Sequence, residues 1–394
     1  MDLQRYSHRL VIPALISPRR AAHESARPPE KGKLHEISTI CKKAMFNVSS
    51  FAKSLICAAI ITWGAVSCTM IKDDLEKCPS GVQVKLEMTM AGVQYSERSA
   101  AEQFAADLDN MALWVFDHNG VFVERFDDTG ENFKRNDNSM YLPIAPGTYK
   151  MVVWTGTTNE PNYIVPTMTP GLSTIDDLTV KVARNLVGTE YRQGEQLAPL
   201  WHGWIDNAVV KKSEYTLLEI NLIKNTNTVV TTLQVMDPDF AAEDYSFALV
   251  ANNGYMAYDN RLLTDNDIHY DAYLVKPPTD ISADPLNPEI VTVAYTNTLR
   301  LMADRQVRFV VWNHENAGSN PILNIDITKY ILLTREDYNS ANGVSLSDQA
   351  YLDSQDYYRI FLFLKPTGTA GTFAFVEMSI NGWVINLSNE NIGL

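Results

Sequence analysis

Histidine, cysteine and basic residues are scarce in this chain of 394 residues, and each scarcity closes off a class of chemistry. After residue 67 the only histidines are His118, His202, His269 and His314. No two are spaced i, i+4, and His314-Glu315 lacks an HExxH partner, which excludes a zinc-protease helix. A GxSxG elbow and a phosphate-cradling glycine loop are both missing. The cysteines are Cys41, Cys57, Cys68 and Cys78, and the last two are too few for a tetrahedral zinc site. A disulfide between Cys68 and Cys78 would close only a small loop. Acidic pairs exist at Asp73-Asp74, Asp127-Asp128 and Asp176-Asp177, yet neighbours in a strand point to opposite faces and seldom form an acid/base couple. No repeat of solenoid length is visible. These absences argue against an enzyme, a small-molecule substrate and a metal cofactor.

Basic charge is unevenly placed. Residues 1–67 carry 10 Lys+Arg against 4 Asp+Glu, leaving 23 basic and 43 acidic residues from Cys68 onward. A surface near −20 repels phosphate backbones, so no nucleic-acid partner is expected. It equally disfavours charge-driven binding to an anionic leaflet.

Any membrane tie must therefore come from the amino-terminal part. Ser54 to Val66, SLICAAIITWGAV, is an uncharged apolar run of 13 residues behind Lys53. It falls short of the roughly 20 residues a spanning helix needs, but it has signal-peptide length. The run ends at Ala65-Val66-Ser67-Cys68 and is followed by TMIKDDLEKCP. Small residues before a cysteine resemble the bacterial lipoprotein signal, in which the cysteine becomes the lipid-bearing first residue of the mature chain. Ala65 stands where that signal usually has leucine. The resemblance implies a covalent lipid on Cys68, and two or three acyl chains would hold the protein permanently. Lys72-Asp73-Asp74 resembles the acidic tag that sends Bacteroidetes lipoproteins to the cell surface, with an ordinary solvated tether as the alternative. Residues 1–44 contain no run of signal length, and Met45 is the expected start of translation.

Beyond residue 80 the pattern becomes strict alternation. In GVQVKLEMTM (81–90), Val82, Val84, Leu86, Met88 and Met90 share one face, the signature of a half-buried strand. Similar runs occur at 111–117, 121–126, 147–156, 178–183 and 214–222. A second set follows at 226–237, 245–254, 289–302, 307–313, 323–333, 357–366 and 372–387. Turn residues such as His118-Asn119-Gly120 and Thr169-Pro170-Gly171 separate them. Helical periodicity is confined to a short segment at SAAEQFAADLDNM (99–111). The expected fold is all-β: two antiparallel β-sandwich domains in series. The expected divisions are 1–44 as an extension, 45–67 as signal, 68–80 as tether, and domains at 81–220 and 221–394.

Particular words then stand out: LIKNTNTVVTTLQ, YDNRLL, TNTLRLM, SDQAYLDSQDYY (347–358) and INGWVIN. With the segment from Cys68, they resemble the fimbrillin-associated anchor subunits (FimB-type) of Bacteroidales fimbriae, outer-membrane lipoproteins. The resemblance implies transthyretin-like sandwiches, lipidation at Cys68, a surface-exposed outer-membrane location and the major fimbrillin subunit as partner. It also implies a role in adhesion fibres, holding the fimbrial base and limiting fibre length and release. Fibres of this kind grow by strand complementation, in which ladder hydrogen bonds and alternate side-chain pockets supply the grip. The candidate donor strand is the last one, carrying Phe373, Phe375, Ile380, Trp383, Ile385 and Leu387; the other reading is a resident strand. Its alternation slips at Gly382, which suggests a bulge or a close backbone approach. Gly81 to Met90 is expected to stay in place, because cutting at Arg98 would cost the lipid.

Rival readings are a tip or accessory fimbrial subunit and a surface glycan-binding lipoprotein. The latter rests on Trp201 and Trp204, which alternate to opposite faces of a strand, so that one belongs to the core. The loops ENFKRNDNS and LLTDNDIHYD carry calcium-type oxygens without EF-hand spacing and read better as solvated turns.

Overall fold

The computed structural model describes residues 82–88, 104, 106–158, 161–211, 216–235, 245–281, 290–313, 321–366 and 373–385. Met45, the signal run, Cys68, Lys72, Asp73, Asp74, Cys78, Arg98, His314 and Leu387 lie outside the described residues. The described part falls within one compact unit, Cys78–Leu394.

Strands of the first half are β1 Val82–Met88, β2 Asn110–Asp117, β3 Phe122–Thr129, β4 Ser139–Leu142, β5 Gly147–Thr155, β6 Tyr163–Ile164, β7 Thr179–Val182, β8 Asn185–Val187, β9 Glu190–Gln193, β10 Trp201–Val210 and β11 Thr216–Lys224. The second half supplies β12 Asn227–Val235, β13 Tyr245–Ala251, β14 Tyr255–Ala257, β15 Ile268–Val275, β16 Thr279–Asp280, β17 Ile290–Thr298, β18 Arg308–Asn313, β19 Leu323–Asp326, β20 Tyr357–Pro366, β21 Phe373–Ile380 and β22 Trp383–Ile385. One sheet has seven strands in the order β3-β2-β5-β10-β11-β1-β4. A larger sheet runs β19-β18-β13-β15-β17-β12-β20-β21-β22, with β8, β9 and β16 attached, and a small sheet is β14-β7-β6.

The sandwich architecture is all-β as expected, but its pairing is mixed. β1 lies parallel to β11 and β12 parallel to β20, so the first strand of each half sits beside a late one. Parallel neighbours need a long connection, and in both cases most of a half separates them. β9 also pairs parallel with β15, and β7 pairs with β14, so strands from before residue 220 contribute ladders to strands from after it.

Four readings of local structure are corrected. The run LNIDITKYILL is a strand only to Asp326, and Ile327–Leu333 is helix α2. The Asp326 side chain accepts a hydrogen bond from the Lys329 amide at 3.3 Å, and Ile327, Tyr330 and Ile331 at helical spacing are the buried residues. Further helices follow, α3 at Arg335–Asn342 and α4 at Asp348–Asp353; the earlier ENFKRNDNS loop holds α1, Gly130–Arg135. At Gly382 there is neither bulge nor close approach. Asn381 (φ 52°) and Gly382 (φ 87°) form a two-residue turn joining β21 to β22, and the bulge lies further back, opposite Phe363 and Leu364. LLTDNDIHYD is a loop only in part, because its last residues open β15. Its aspartates are occupied by arginines: Asp265 with Arg184, Asp267 with Arg308 and Asp271 with Arg192.

The core has two clusters. Met111, Leu113 and Val115 of β2 face the first, with Phe104, Leu108 and Phe133; a Leu108 N–H to Phe104 carbonyl bond closes one helical turn there. Ala112, Trp114 and Phe116 point to the opposite face and join a cluster that continues through Phe247, Phe309 and Tyr358 of the second half. The central strands of the first sheet are thus buried on both faces.

Candidate functional site: a polar junction and a terminal strand edge

Four of the words that set this sequence apart meet in space. Lys224, in LIKNTNTVVTTLQ, places its Nζ 2.7 Å from a carboxylate oxygen of Asp107 and 2.7 Å from one of Asp356, with the Trp201 ring centroid 5.7 Å away. Burial works against the ammonium, yet the Asp356 and Asp107 carboxylates outweigh it and hold its pKa above the ordinary value. Asn225 and Asn260, the latter in YDNRLL, exchange reciprocal side-chain amide bonds of 2.7 and 3.0 Å. Asn297 of TNTLRLM donates to the Asn227 carbonyl and to Thr228 Oγ1, and accepts from the Leu197 amide. Arg300 makes a two-pronged pair with Asp353 at 2.9 and 2.7 Å and donates to the Asn260 carbonyl at 3.0 Å. Both Asp353 and Asp356 belong to SDQAYLDSQDYY, whose Asp356 carbonyl also receives the Thr228 amide. Buried polar groups of this kind must be paired, and here each word supplies the partner that another needs.

His202 belongs to the same region without any catalytic arrangement. It is wholly buried against Trp154, and its Nε2 lies 2.7 Å from the Tyr258 carbonyl. Burial is the main reason its pKa falls to about 3, and the Arg300 charge adds to the drop, so the ring is neutral at physiological pH and donates to that carbonyl.

The carboxy-terminal edge is the second feature. β21 pairs along β20 from Phe373, opposite Pro366, to Ile380, opposite Ile360, with Phe375 opposite Leu364. Met378 and Ile380 are fully buried. β22 folds back so that Trp383 opposes Ile380 and Ile385 opposes Met378. Five of the six candidate donor residues, Phe373, Phe375, Ile380, Trp383 and Ile385, therefore sit in a resident hairpin at the end of the large sheet; Leu387 is beyond the described residues. Among the described residues, the outer edges of β22 and of β21 from Phe373 to Glu377 have no strand partner.

Trp201 and Trp204 divide as alternation requires. Trp201 is buried edge-to-face on Phe104 at 5.1 Å, and Trp204 is 40% exposed beside Tyr258. The ion pairs of Lys224 and Arg300 escaped sequence reasoning, because their partners lie 132 and 53 residues away. The only local trace was an unusual density of Asn and Thr at the start of a strand.

A family model described as fimbrillin-A associated anchor proteins Mfa1 and Mfa2 matches residues 75–389. The chain belongs to this family. The match spans both halves and includes every word of the polar junction. Among solved structures, a candidate polysaccharide-binding protein from Bacteroides thetaiotaomicron is 26% identical, with TM-score 0.62, over 79% of this chain and 99% of that one. A candidate adhesin from the same organism is 22% identical with TM-score 0.65 over the same shares. The fimbrial anchor protein Mfa2 from Porphyromonas gingivalis is 17% identical with TM-score 0.57, covering 79% of this chain and all of that one. No curated protein matches the chain. Anchor-family membership gives a fimbrial accessory role at the cell surface, an association with fimbrillin, and a structural rather than an enzymatic class. Among the described residues, no helix is long and apolar enough to cross a membrane.

Proposed function

We propose that this chain is a lipid-attached outer-membrane anchor that holds the base of a fimbrium through strand pairing at its carboxy-terminal edge, and so limits fibre length and release. Cys68 carries the lipid, Lys72, Asp73 and Asp74 form the export address, and the major fimbrillin is the partner. The observation that carries the reading is the contrast between the two ends of the described chain. β1 is held on both sides, in register with β11 from Val82 to Met88 and with β4 from Val82 to Lys85. A strand placed inside a sheet, beginning 14 residues beyond the lipid site, is unsuited to leaving. The other end is an open edge whose backbone donors and acceptors suit an added strand.

Burial of Met378 and Ile380 refines the donor expectation. Withdrawing β21 would uncover the core, whereas pairing onto the outer edge of β21 and β22 leaves Met378 and Ile380 buried. The test is a chain ending at Gly382, which removes β22 and leaves β21 in place. Fibres are expected to appear in the medium, with the truncated protein present at normal level and melting temperature. Retention of fibres on the cell by that truncated protein would overturn β22 as part of the grip. In parallel, Cys68→Ala should abolish palmitate labelling.

A further inference from the structure

The outer face of the large sheet differs from the rest of this acidic molecule. Alternate residues of β12, β17 and β20 face the core, among them Val229, Leu233, Ala294, Ile360 and Leu362. The opposite set lies on the other face: Val293, Tyr295, Tyr357, Phe361 and Phe363 are half-buried there, and Val230 among them is buried. Within it, Tyr295 and Arg359 flank Val230 from either side in direct register, and Tyr357 stands two residues from Arg359. Tyr273, on the bulged end of β15, comes within 6.3 Å of Tyr295, ring centre to ring centre. Lys276 Nζ lies 5.1 Å from the Tyr295 ring centre, and the Arg359 guanidinium lies 5.7 Å from that of Tyr357. At about 4.8 Å per strand, the row from Tyr273 to Tyr357 is roughly 14 Å wide.

The two cations are the telling part. Arg125, Arg184, Arg192, Arg300, Arg308 and Arg335 each sit on a carboxylate. Lys276 and Arg359 do not: among the described residues they meet tyrosine rings and no acidic side chain. Lys365 adds a third exposed positive charge to this face; across the β20–β21 ladder Ala374 stands opposite Lys365, and the exposed Glu377 stands opposite Phe363. Salt screens surface charge over about 10 Å, so a ligand touching this face meets its local positive charge rather than the net charge of the chain. The three phenols are half-buried, and burial followed by their mutual proximity raises the pKa values of Tyr273 and Tyr357. Tyr273 and Tyr357 therefore remain protonated donors at neutral pH.

We infer that this tyrosine, lysine and arginine row is a binding site for an acidic polysaccharide, whose carboxylate or sulfate groups meet Lys276, Arg359 and the phenol hydroxyls while sugar faces lie on the aromatic rings. A second copy of the chain is disfavoured because two such faces repel each other. A folded protein partner would have to match a row of donors at fixed spacing on an open, flat surface. A flexible polyanion with a charge and hydroxyls on successive rings meets the same row without that constraint. The inference does not rest on the anchoring role.

The experiment is affinity electrophoresis of the full chain through gels containing polygalacturonate, heparin or neutral dextran. Retardation is expected in at least one polyanion and not in dextran, weakening as salt is raised. Tyr295→Phe/Tyr357→Phe, which removes only two hydroxyls, should weaken binding severalfold. Lys276→Ala/Arg359→Ala should weaken it at least tenfold, with melting temperatures unchanged in both. Lys181→Ala, at a separate cation–ring contact with Tyr255, should change nothing. No retardation in either polyanion, equal retardation in dextran, or unchanged binding by the charge variant would overturn the site. Loss of fibre retention in the charge variant, with no polyanion binding by the parent protein, would overturn it in favour of a protein partner.

Discussion

At the scale of single residues, burial decides what each polar group can do. The His202 side chain bonds to the Tyr258 carbonyl and packs on Trp154, so among the described residues protonation inside the fold meets neither solvent nor a carboxylate. Its folded pKa is about 3 against an ordinary 6.5. Between those values the unfolded chain binds a proton that the folded chain does not. Stability from this residue is therefore complete above about pH 6.5 and falls as the pH drops towards 3, at about 1.4 kcal/mol per unit. Urea denaturation at a series of pH values should show that slope in the parent protein and a flatter one in His202→Gln, which can still donate to Tyr258. Equal slopes would mean that His202 is not the group responsible. No local pattern singles out His202, because its neutrality comes first from burial and then from distant Arg300. The division between Trp201 and Trp204 was legible, because strand alternation is a property of adjacent residues alone.

At the scale of elements, the same distinction explains which strands could be read. Runs such as MALWVFD and YYRIFLFLKP fill a sheet directly, and their boundaries lie close to β2 and β20. LNIDITKYILL could not be read from apolar content alone, because its second part is as hydrophobic as a strand. The deciding signal was Asp326, whose carboxylate caps α2, together with the spacing of Ile327, Tyr330 and Ile331. Asp326→Ala should cost about 1 kcal/mol, the usual loss for an N-cap, and Asp326→Ser should restore most of it. Thermal melts of the three proteins check this, and no difference between Ala and parent would mean that packing alone holds the helix. Short strands such as β8, β14 and β16 carry too few residues to show a period. They exist because longer neighbours offer them an edge.

At the scale of the molecule, sequence patterning suggested two sandwiches in series and gave no hint of how much they share. The larger core cluster includes Trp114 and Trp154 from the first half and Phe247 and Tyr358 from the second. The junction adds Lys224, lying between Asp107 and Asp356, at a point where the chain passes from β11 to β12. Four of the words that revealed the family, LIKNTNTVVTTLQ, YDNRLL, TNTLRLM and SDQAYLDSQDYY, make up this junction, so they mark a way of joining two sheets rather than a binding surface. A shared core and a shared ionic centre make opening of either half costly to the other. Lys224→Met removes the cation and leaves two buried carboxylates facing each other, a change of about 3–5 kcal/mol. Hydrogen exchange of amides in β5 and in β13 should report one common opening free energy in the parent protein, and both values should fall together in the variant. Loss of protection in one half alone would show that the two sheets open independently. The common fall is the expected result because β5 and β13 are tied to the same cluster, through Val152 and Trp154 on one side and Phe247 and Leu249 on the other.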